Sequence, residues 1–235
     1  MTTTTSFGES LAESPVYLRF RDHPFFAAVD TAELTKERAN TLIEQWWHPL
    51  HYFPTFLARC VAVLPDIASK SAITSILSQE VGGGQVAQAH EVIYVESMDK
   101  CGFNRDRVTG TTPYQETVAL VEGYRRASEE RESALGFIFA TETTDLLMVS
   151  SIGKAIERST GATDNEWVSI HVEQEPGHVE EANHALLTDF TAEQERAVLD
   201  AADEMWSLWI AFFDRLTAES GVGAASRASR VPAAR

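Results

Sequence analysis

Several features that define other protein classes are scarce in this 235-residue sequence. It has only 2 cysteines, Cys60 and Cys101, which make neither a disulfide framework nor a cysteine metal motif. Its 19 basic residues against 35 acidic ones give a net charge of −16, which argues against binding to nucleic acid or to an anionic membrane surface. No apolar run approaches the length of a membrane span, and the polar N-terminus carries no secretion signal. We therefore expect a soluble, cytoplasmic protein.

Alternating β-branched runs are also missing, so the sequence predicts an all-α fold. Apolar residues at helical spacing predict seven helices joined by short connections, with Pro49 and Pro54 separating the first two. These helices are predicted over residues 35–47, 56–64, 67–100, 113–127, 133–158, 165–187 and 191–216. One helical domain is expected over residues 13–219. Residues 1–12 and 220–235 are small and polar and are expected to be disordered.

The most informative motif lies on the sixth predicted helix. His171, Glu175 and His178 are spaced i, i+4 and i+7, so on a regular helix they share one face. Two imidazoles and a carboxylate on one face are ligands that suit iron, manganese or zinc, although a solvated polar face has the same composition. His184 falls on the opposite side and is expected either at the surface or behind the metal ligands. Pro176-Gly177 opposes regular helix and predicts a local distortion beside the ligands.

A second motif runs from Glu80 to His90 and contains three consecutive glycines, at positions 82–84. No strand precedes this segment and no Gly-Lys-Ser/Thr follows it, which argues against a phosphate-binding loop. The glycines are expected to distort a continuous helix over 67–100, so that Glu80 and His90 can reach one centre.

The third candidate is Glu142, which has apolar neighbours one helical turn away on each side. A buried carboxylate needs a cation or hydrogen bonds, so an ion pair, a hydrogen bond and a metal all remain open for it. Asp145, one turn further along the helix, is a possible partner of the same site. The aromatic pair Trp46-Trp47 is expected in the core, and Tyr94 in a structural role near His90.

Taken together, these motifs resemble the haem-oxygenase-like diiron oxidases and oxygenases, which are related in fold to thiaminase II and pyrroloquinoline-quinone synthase. The resemblance covers roughly residues 20–215 and includes an early His23-Pro-Phe and the stretch Phe53-Pro54-x-Phe56-Leu57-Ala58. It implies a seven-helix haem-oxygenase-like bundle. It also implies a ligand set for two iron ions, namely Glu80, His90, Glu142, His171, Glu175 and His178.

The resemblance further implies two Fe(II) ions, O2 as co-substrate and a peroxo-diferric intermediate that oxidises a small molecule in specialised, natural-product metabolism. An amino acid or derived amine is the favoured substrate, a reductant or redox partner is possible, and a homodimer is expected. Two positions depart from the family pattern. Glu175 stands where Asp is common, and Ala87 stands where members that oxygenate amine nitrogen often carry a further carboxylate.

Three alternatives remain open on the sequence. The first is an N-oxygenase that converts an amine to a hydroxylamine or nitro group, which Ala87 disfavours. The second is a metal-free enzyme on the same scaffold, similar to thiaminase or the quinone synthase. The third is a non-catalytic helical interaction protein, which would bind no metal.

Overall fold

The computed structural model describes residues 7–187 and 189–222, and these residues form helices and no strand. The all-α prediction is confirmed, but the predicted number of helices was too low, since this part of the chain forms eleven α-helices and one 3-10 helix. Helices α1 to α11 span Phe7–Ala12, Pro15–Arg21, Pro24–Val29, Lys36–Val63, Ile67–Glu80, His90–Lys100, Arg105–Gly110, Gln115–Ala127, Arg131–Thr160, Glu166–Ala185 and Ala192–Ser220. Four of them have only six or seven residues, too few to show helical periodicity.

The chain ends differ in part from the expected boundaries. Residues 7–12, which were assigned to an unstructured terminus, form α1, and α11 continues to Ser220. Residues 1–6 and 223–235 lie outside the described part of the chain.

Helix α4 corrects the prediction that Pro49 and Pro54 separate two helices, because it runs unbroken through both. A proline inside a helix costs about 3 kcal/mol. Against that cost, α4 buries one side of its length, including Trp46, Phe53 and Phe56, and each large apolar side chain contributes about 1.5–3 kcal/mol. The helix packs against α5, α6, α7, α8, α9 and α11, so tertiary burial outweighs the local preference.

The segment 67–100 corrects a second prediction, because it is two helices and not one. Helix α5 ends at Glu80, a 3-10 turn covers Val86–Gln88, and α6 begins at His90. Gly82, Gly83 and Gly84 all have positive φ, between 58° and 88°, which ends the helix rather than distorting it. A Cβ at Gly82 would lie 2.6 Å from the amide nitrogen of Ala89, so glycine is needed there for space as well as for conformation.

Helix α9 forms the centre of the bundle and packs against α3, α4, α8, α10 and α11. By length and composition it could cross a membrane, but 72% of its most apolar window is buried inside the protein. It is therefore a mostly buried core helix of the bundle. Gly136 allows α11 to approach closely, because a Cβ there would lie 2.7 Å from the Cβ of Ala201.

Candidate metal centre

Four helices bring the six predicted ligand side chains together inside the bundle. Glu80 is the last residue of α5, His90 the first of α6, and Glu142 lies near the middle of α9. His171, Glu175 and His178 lie on α10. All six residues are buried, with exposed fractions between 1% and 5%.

Helix α10 presents its three ligand residues as a regular helix should. It runs unbroken through Pro176, so the expected distortion at Pro176-Gly177 is not observed. Both residues face solvent, and the carbonyl that proline leaves without an intrahelical partner belongs to Val172, which is also exposed. Solvent can satisfy this carbonyl, and the buried face keeps its regular spacing. The start of α10 is tied to α6 by a hydrogen bond from the Trp167 amide to Ser97 Oγ, at 3.2 Å.

The six side chains form two adjacent groups of three, and in each group one ligand atom per residue lies within 4.8 Å of the others. The first group is Glu80, His90 and His171, and the second is Glu142, Glu175 and His178. Glu80 Oε1 joins the groups, since it lies 3.0 Å from His90 Nδ1 and 4.0 Å from His178 Nδ1. This arrangement has the donor atoms for two metal ions side by side.

Each of the three histidines pairs its outer ring nitrogen with an oxygen that only accepts. His90 Nε2 lies 3.0 Å from Gln174 Oε1, His178 Nε2 lies 3.2 Å from Gln79 Oε1, and His171 Nδ1 lies 2.7 Å from the Trp167 carbonyl. The outer nitrogen therefore carries a proton, and the inner nitrogen is directed into the site, where it can bind a metal ion once it has lost any proton of its own. Such outer partners commonly orient metal-binding histidines. Sequence reasoning missed Gln79 and Gln174, although each directly precedes a predicted glutamate ligand.

Several buried polar atoms in the site have no hydrogen-bond partner among the described residues. They include Glu142 Oε1, Glu175 Oε1 and Asp145 Oδ2. Leaving such atoms unpaired costs about 1–3 kcal/mol each, and more when they are charged. Coordination of a cation would satisfy all of them. The donors are carboxylate oxygens and imidazole nitrogens without thiolate, which suits iron or manganese.

The pKa shifts in the site reflect carboxylates that are crowded together in a buried environment. Burial, together with the charge of Asp145, raises the pKa of Glu175 above its usual value. Although burial opposes it, hydrogen bonds to Glu142 and Glu175 raise the pKa of His178. Without a cation, the second group therefore retains protons to offset its crowded carboxylates. In contrast, burial and the neighbouring His90 lower the pKa of His171 to about 4, which keeps this ligand neutral.

Asp145 lies at the edge of the site, as the sequence suggested. Its Oδ2 is 4.0 Å from His171 Nε2, and its side chain is 17% exposed. Burial and the charge of Glu142 raise its pKa. When ionised, Asp145, Glu80, Glu142 and Glu175 carry four negative charges, which two divalent cations would neutralise. The residues present thus fit a pair of divalent metal ions.

The structure also places three other residues discussed from the sequence. The His184 side chain is 52% exposed and pairs with Glu181, so its surface position is confirmed. Tyr94 is fully buried and donates its hydroxyl proton to the Ile43 carbonyl, which is a structural role. Ala87 lies exposed in the 3-10 turn before α6.

A small cavity of about 30 Å³ opens onto both groups. Its other wall is apolar and largely aromatic, made by Trp46, Pro49, Leu50, Phe53, Tyr124 and Trp209. Thr141 adds a hydroxyl that is hydrogen-bonded to the Tyr124 hydroxyl at 3.0 Å. None of the described side chains lining this cavity is Lys or Arg. The cavity therefore joins a metal-binding wall to an aromatic one, as expected for a small-molecule site.

Comparison with known proteins identifies a family and a fold. A family whose members are described as iron-containing redox enzymes matches residues 40–210, which include all six candidate ligands. Among curated proteins, none matches this sequence significantly.

Solved structures of similar fold share little sequence with the chain. A CADD-like protein of unknown function from Nostoc punctiforme aligns with a TM-score of 0.76 and 14% identity, over 91% of this chain and 95% of that one. A domain of unknown function with a haem-oxygenase-like fold from Shewanella denitrificans aligns with a TM-score of 0.67 and 18% identity, over 92% and 88%. A TenA homologue from Pseudomonas syringae aligns with a TM-score of 0.69 and 12% identity, over 91% and 93%. The fold is therefore haem-oxygenase-like.

Proposed function

The chain belongs to the family of iron-containing redox enzymes, and from that premise we propose that it is an O2-dependent non-haem diiron oxidase. Glu80, His90 and His171 would hold one Fe(II) ion, and the second group would hold the other. When bound, the iron pair supplies the electrons and open coordination positions that O2 activation needs. The observation that carries the proposal is the pair of adjacent, buried Glu/His groups whose histidines all direct their inner ring nitrogens into the site.

The proposed substrate is a small amine, free or derived from an amino acid. The aromatic wall suits its apolar body, and the carboxylate-rich wall suits a positively charged or hydrogen-bond-donating nitrogen. A substrate carboxylate finds no cationic side chain among the described cavity residues, so recognition by an arginine or lysine does not contribute. The buried walls also exclude bulk water from the reacting groups.

Electron balance requires a reductant in addition to the substrate. Reduction of O2 to two water molecules takes four electrons, whereas a two-electron oxidation of an amine supplies only two. The remaining two must come from an external donor, which we include in the proposal.

The test begins with anaerobic loading of the protein with ferrous iron, followed by metal analysis and Mössbauer spectroscopy. We expect close to two irons per chain, and O2 consumption that depends on one member of a panel of small amines. Mass spectrometry of the product then distinguishes C–H oxidation from N-oxygenation. A folded protein that binds no iron would overturn the proposal and favour a metal-free enzyme or a non-catalytic protein.

A further inference from the structure

A chain of aromatic rings leads from the metal centre to the protein surface. The His171 ring lies 4.9 Å from the Trp167 ring, and Trp167 lies 4.9 Å from Tyr94, measured between ring centroids. Tyr94 lies 6.4 Å from Trp47, which stacks on His51 at 4.9 Å. Each ring therefore contacts or nearly contacts the next, from a candidate metal ligand outward.

Exposure increases along this chain in the same direction. Trp167 and Tyr94 are fully buried, Trp47 is half-buried, and the His51 side chain is 61% exposed. His51 is held by Glu91, whose carboxylate lies 2.8 Å from His51 Nδ1. The outer end of the chain is thus an ordered site that a solution molecule can reach.

A second aromatic branch starts at the same tryptophan and remains inside the protein. Trp167 lies 6.0 Å from Trp46, which stacks on Trp209 at 5.4 Å, and both of these line the substrate cavity. They are only 3% and 2% exposed. The branch through Tyr94 and Trp47 is the one that reaches solvent.

The hydrogen-bonding environments of Trp167 and Tyr94 favour transfer of electrons without protons. The Trp167 indole N–H has no hydrogen-bond acceptor among the described residues, so an oxidised Trp167 would keep its proton. The Tyr94 hydroxyl donates to the Ile43 carbonyl at 2.7 Å, and a backbone carbonyl is too weak a base to take a phenol proton. Tyr94 therefore remains unoxidised and connects the two tryptophans as a bridge.

We propose that Trp167, Tyr94 and Trp47 form an electron-transfer path from a one-electron donor, bound at the Trp47–His51 surface, to the metal centre. This inference rests on the proposed function, which requires such a donor. In each transfer, one electron passes from the donor to the oxidised centre by tunnelling through the three rings, and none of the rings needs to be oxidised on the way. The donor is oxidised by one electron, the centre is reduced by one, and no bond is broken in the protein.

The test measures reduction of the oxidised centre rather than turnover. Iron-loaded protein is oxidised with O2 and mixed in a stopped-flow instrument with reduced methyl viologen, whose colour reports its consumption. We expect Trp47→Phe and Trp167→Phe to slow the reduction several-fold at unchanged iron content. Trp206→Phe is the matched control, because this fully buried tryptophan packs on Tyr17, outside the chain of rings, and donates to the Ala140 carbonyl.

A second measurement uses wild-type protein and needs no variant to fold. When the ferrous protein is exposed to O2 without donor or substrate, we expect an organic radical in the electron paramagnetic resonance spectrum. Oxidised tryptophan should then be found at Trp47 by mass spectrometry. Equal reduction rates in all variants, with no oxidation at Trp47 in iron-loaded protein, would overturn the path alone. A chain that binds no iron would overturn the proposed function and the path together.

Discussion

The two halves of the candidate metal centre differ in what holds them together. The first group takes Glu80, His90 and His171 from three helices, and two of these residues flank the turn that contains Gly82. The second group takes Glu142, Glu175 and His178 from α9 and α10, two long helices that pack against each other. The first group therefore depends on loop geometry, whereas the second depends on a rigid helix pair.

The two groups also differ in the pKa shifts of their side chains. In the first group, an ion pair at 3.0 Å lowers the pKa of Glu80 despite burial and raises that of His90. In the second group, the pKa values of all three residues are raised, two by burial and that of His178 by its carboxylate neighbours. Without metal, the easily deformed half is thus balanced by one ion pair, whereas the rigid half is balanced only because it retains extra protons. Metal binding should order the first group and displace protons from the second.

The largest effect is expected from removing one histidine of each group. His171→Ala should abolish iron binding to the first group, and His178→Ala should abolish it in the second, so that each variant binds about one iron and loses turnover. His184→Ala is the control, because its side chain is exposed and paired only with Glu181. Metal analysis and Mössbauer spectra report which site remains. Full iron binding in the His171 or His178 variant would show that the groups are wrongly assigned.

The next largest effect should come from the glycine turn. Gly82→Ala forces an L-residue into positive φ, which costs about 1–2 kcal/mol, and adds a clash with the backbone at Ala89. We expect the first group to lose iron while the second keeps it. Gly177→Ala on α10 is the matched control, since its Cβ meets open space, and it should stabilise the protein by about 0.5–1 kcal/mol. Thermal unfolding and iron titration measure both changes. Equal loss from both groups in Gly82→Ala would remove the contrast between them.

The contrast between ligands placed by regular helices and ligands placed by a turn explains what could be predicted from the sequence. The convergence of His171, Glu175 and His178 was predictable because the angle between residues on a regular helix is fixed. The approach of Glu80 and His90 was predicted, but through the wrong structure, because three positive-φ glycines set a turn that helical spacing cannot describe. The unbroken course of α4 through Pro49 was missed because it depends on contacts with six other helices.

A smaller loss of metal affinity is expected when the glutamines that orient His90 and His178 are replaced. Gln174, next to Glu175 of the second group, accepts from His90 of the first, and Gln79, next to Glu80 of the first group, accepts from His178 of the second. Removing such a partner typically costs about 10–100-fold in metal affinity. Gln174→Ala should weaken the first site and Gln79→Ala the second, with Gln→Glu restoring affinity in each case. Competition with a chelator measures the affinities, and unchanged values would show that the glutamines do not orient the ligands.

The smallest expected difference between the groups lies in the pH dependence of their metal affinity, which reports directly on the protons that each group holds. Glu175 and His178 have raised pKa values, so at neutral pH a metal entering the second group must displace their protons. In the first group the pKa of Glu80 is lowered and that of His171 is lowered to about 4, so His90 alone holds a proton to displace. Each displaced proton makes the apparent affinity rise by about tenfold per pH unit, and lowering the pH weakens binding in both groups.

His171→Ala isolates the second group and His178→Ala isolates the first, so the proton release of each can be measured separately. Calorimetric titration with Zn2+, repeated in buffers of different ionisation enthalpy, gives the number of protons released near neutral pH. We expect more protons from the second group than from the first. Equal release would mean that the second group does not hold the extra protons, and that the crowding of Glu142 and Glu175 is relieved in another way. In that case the rigid half of the centre would be as well balanced without metal as the half that depends on the glycine turn.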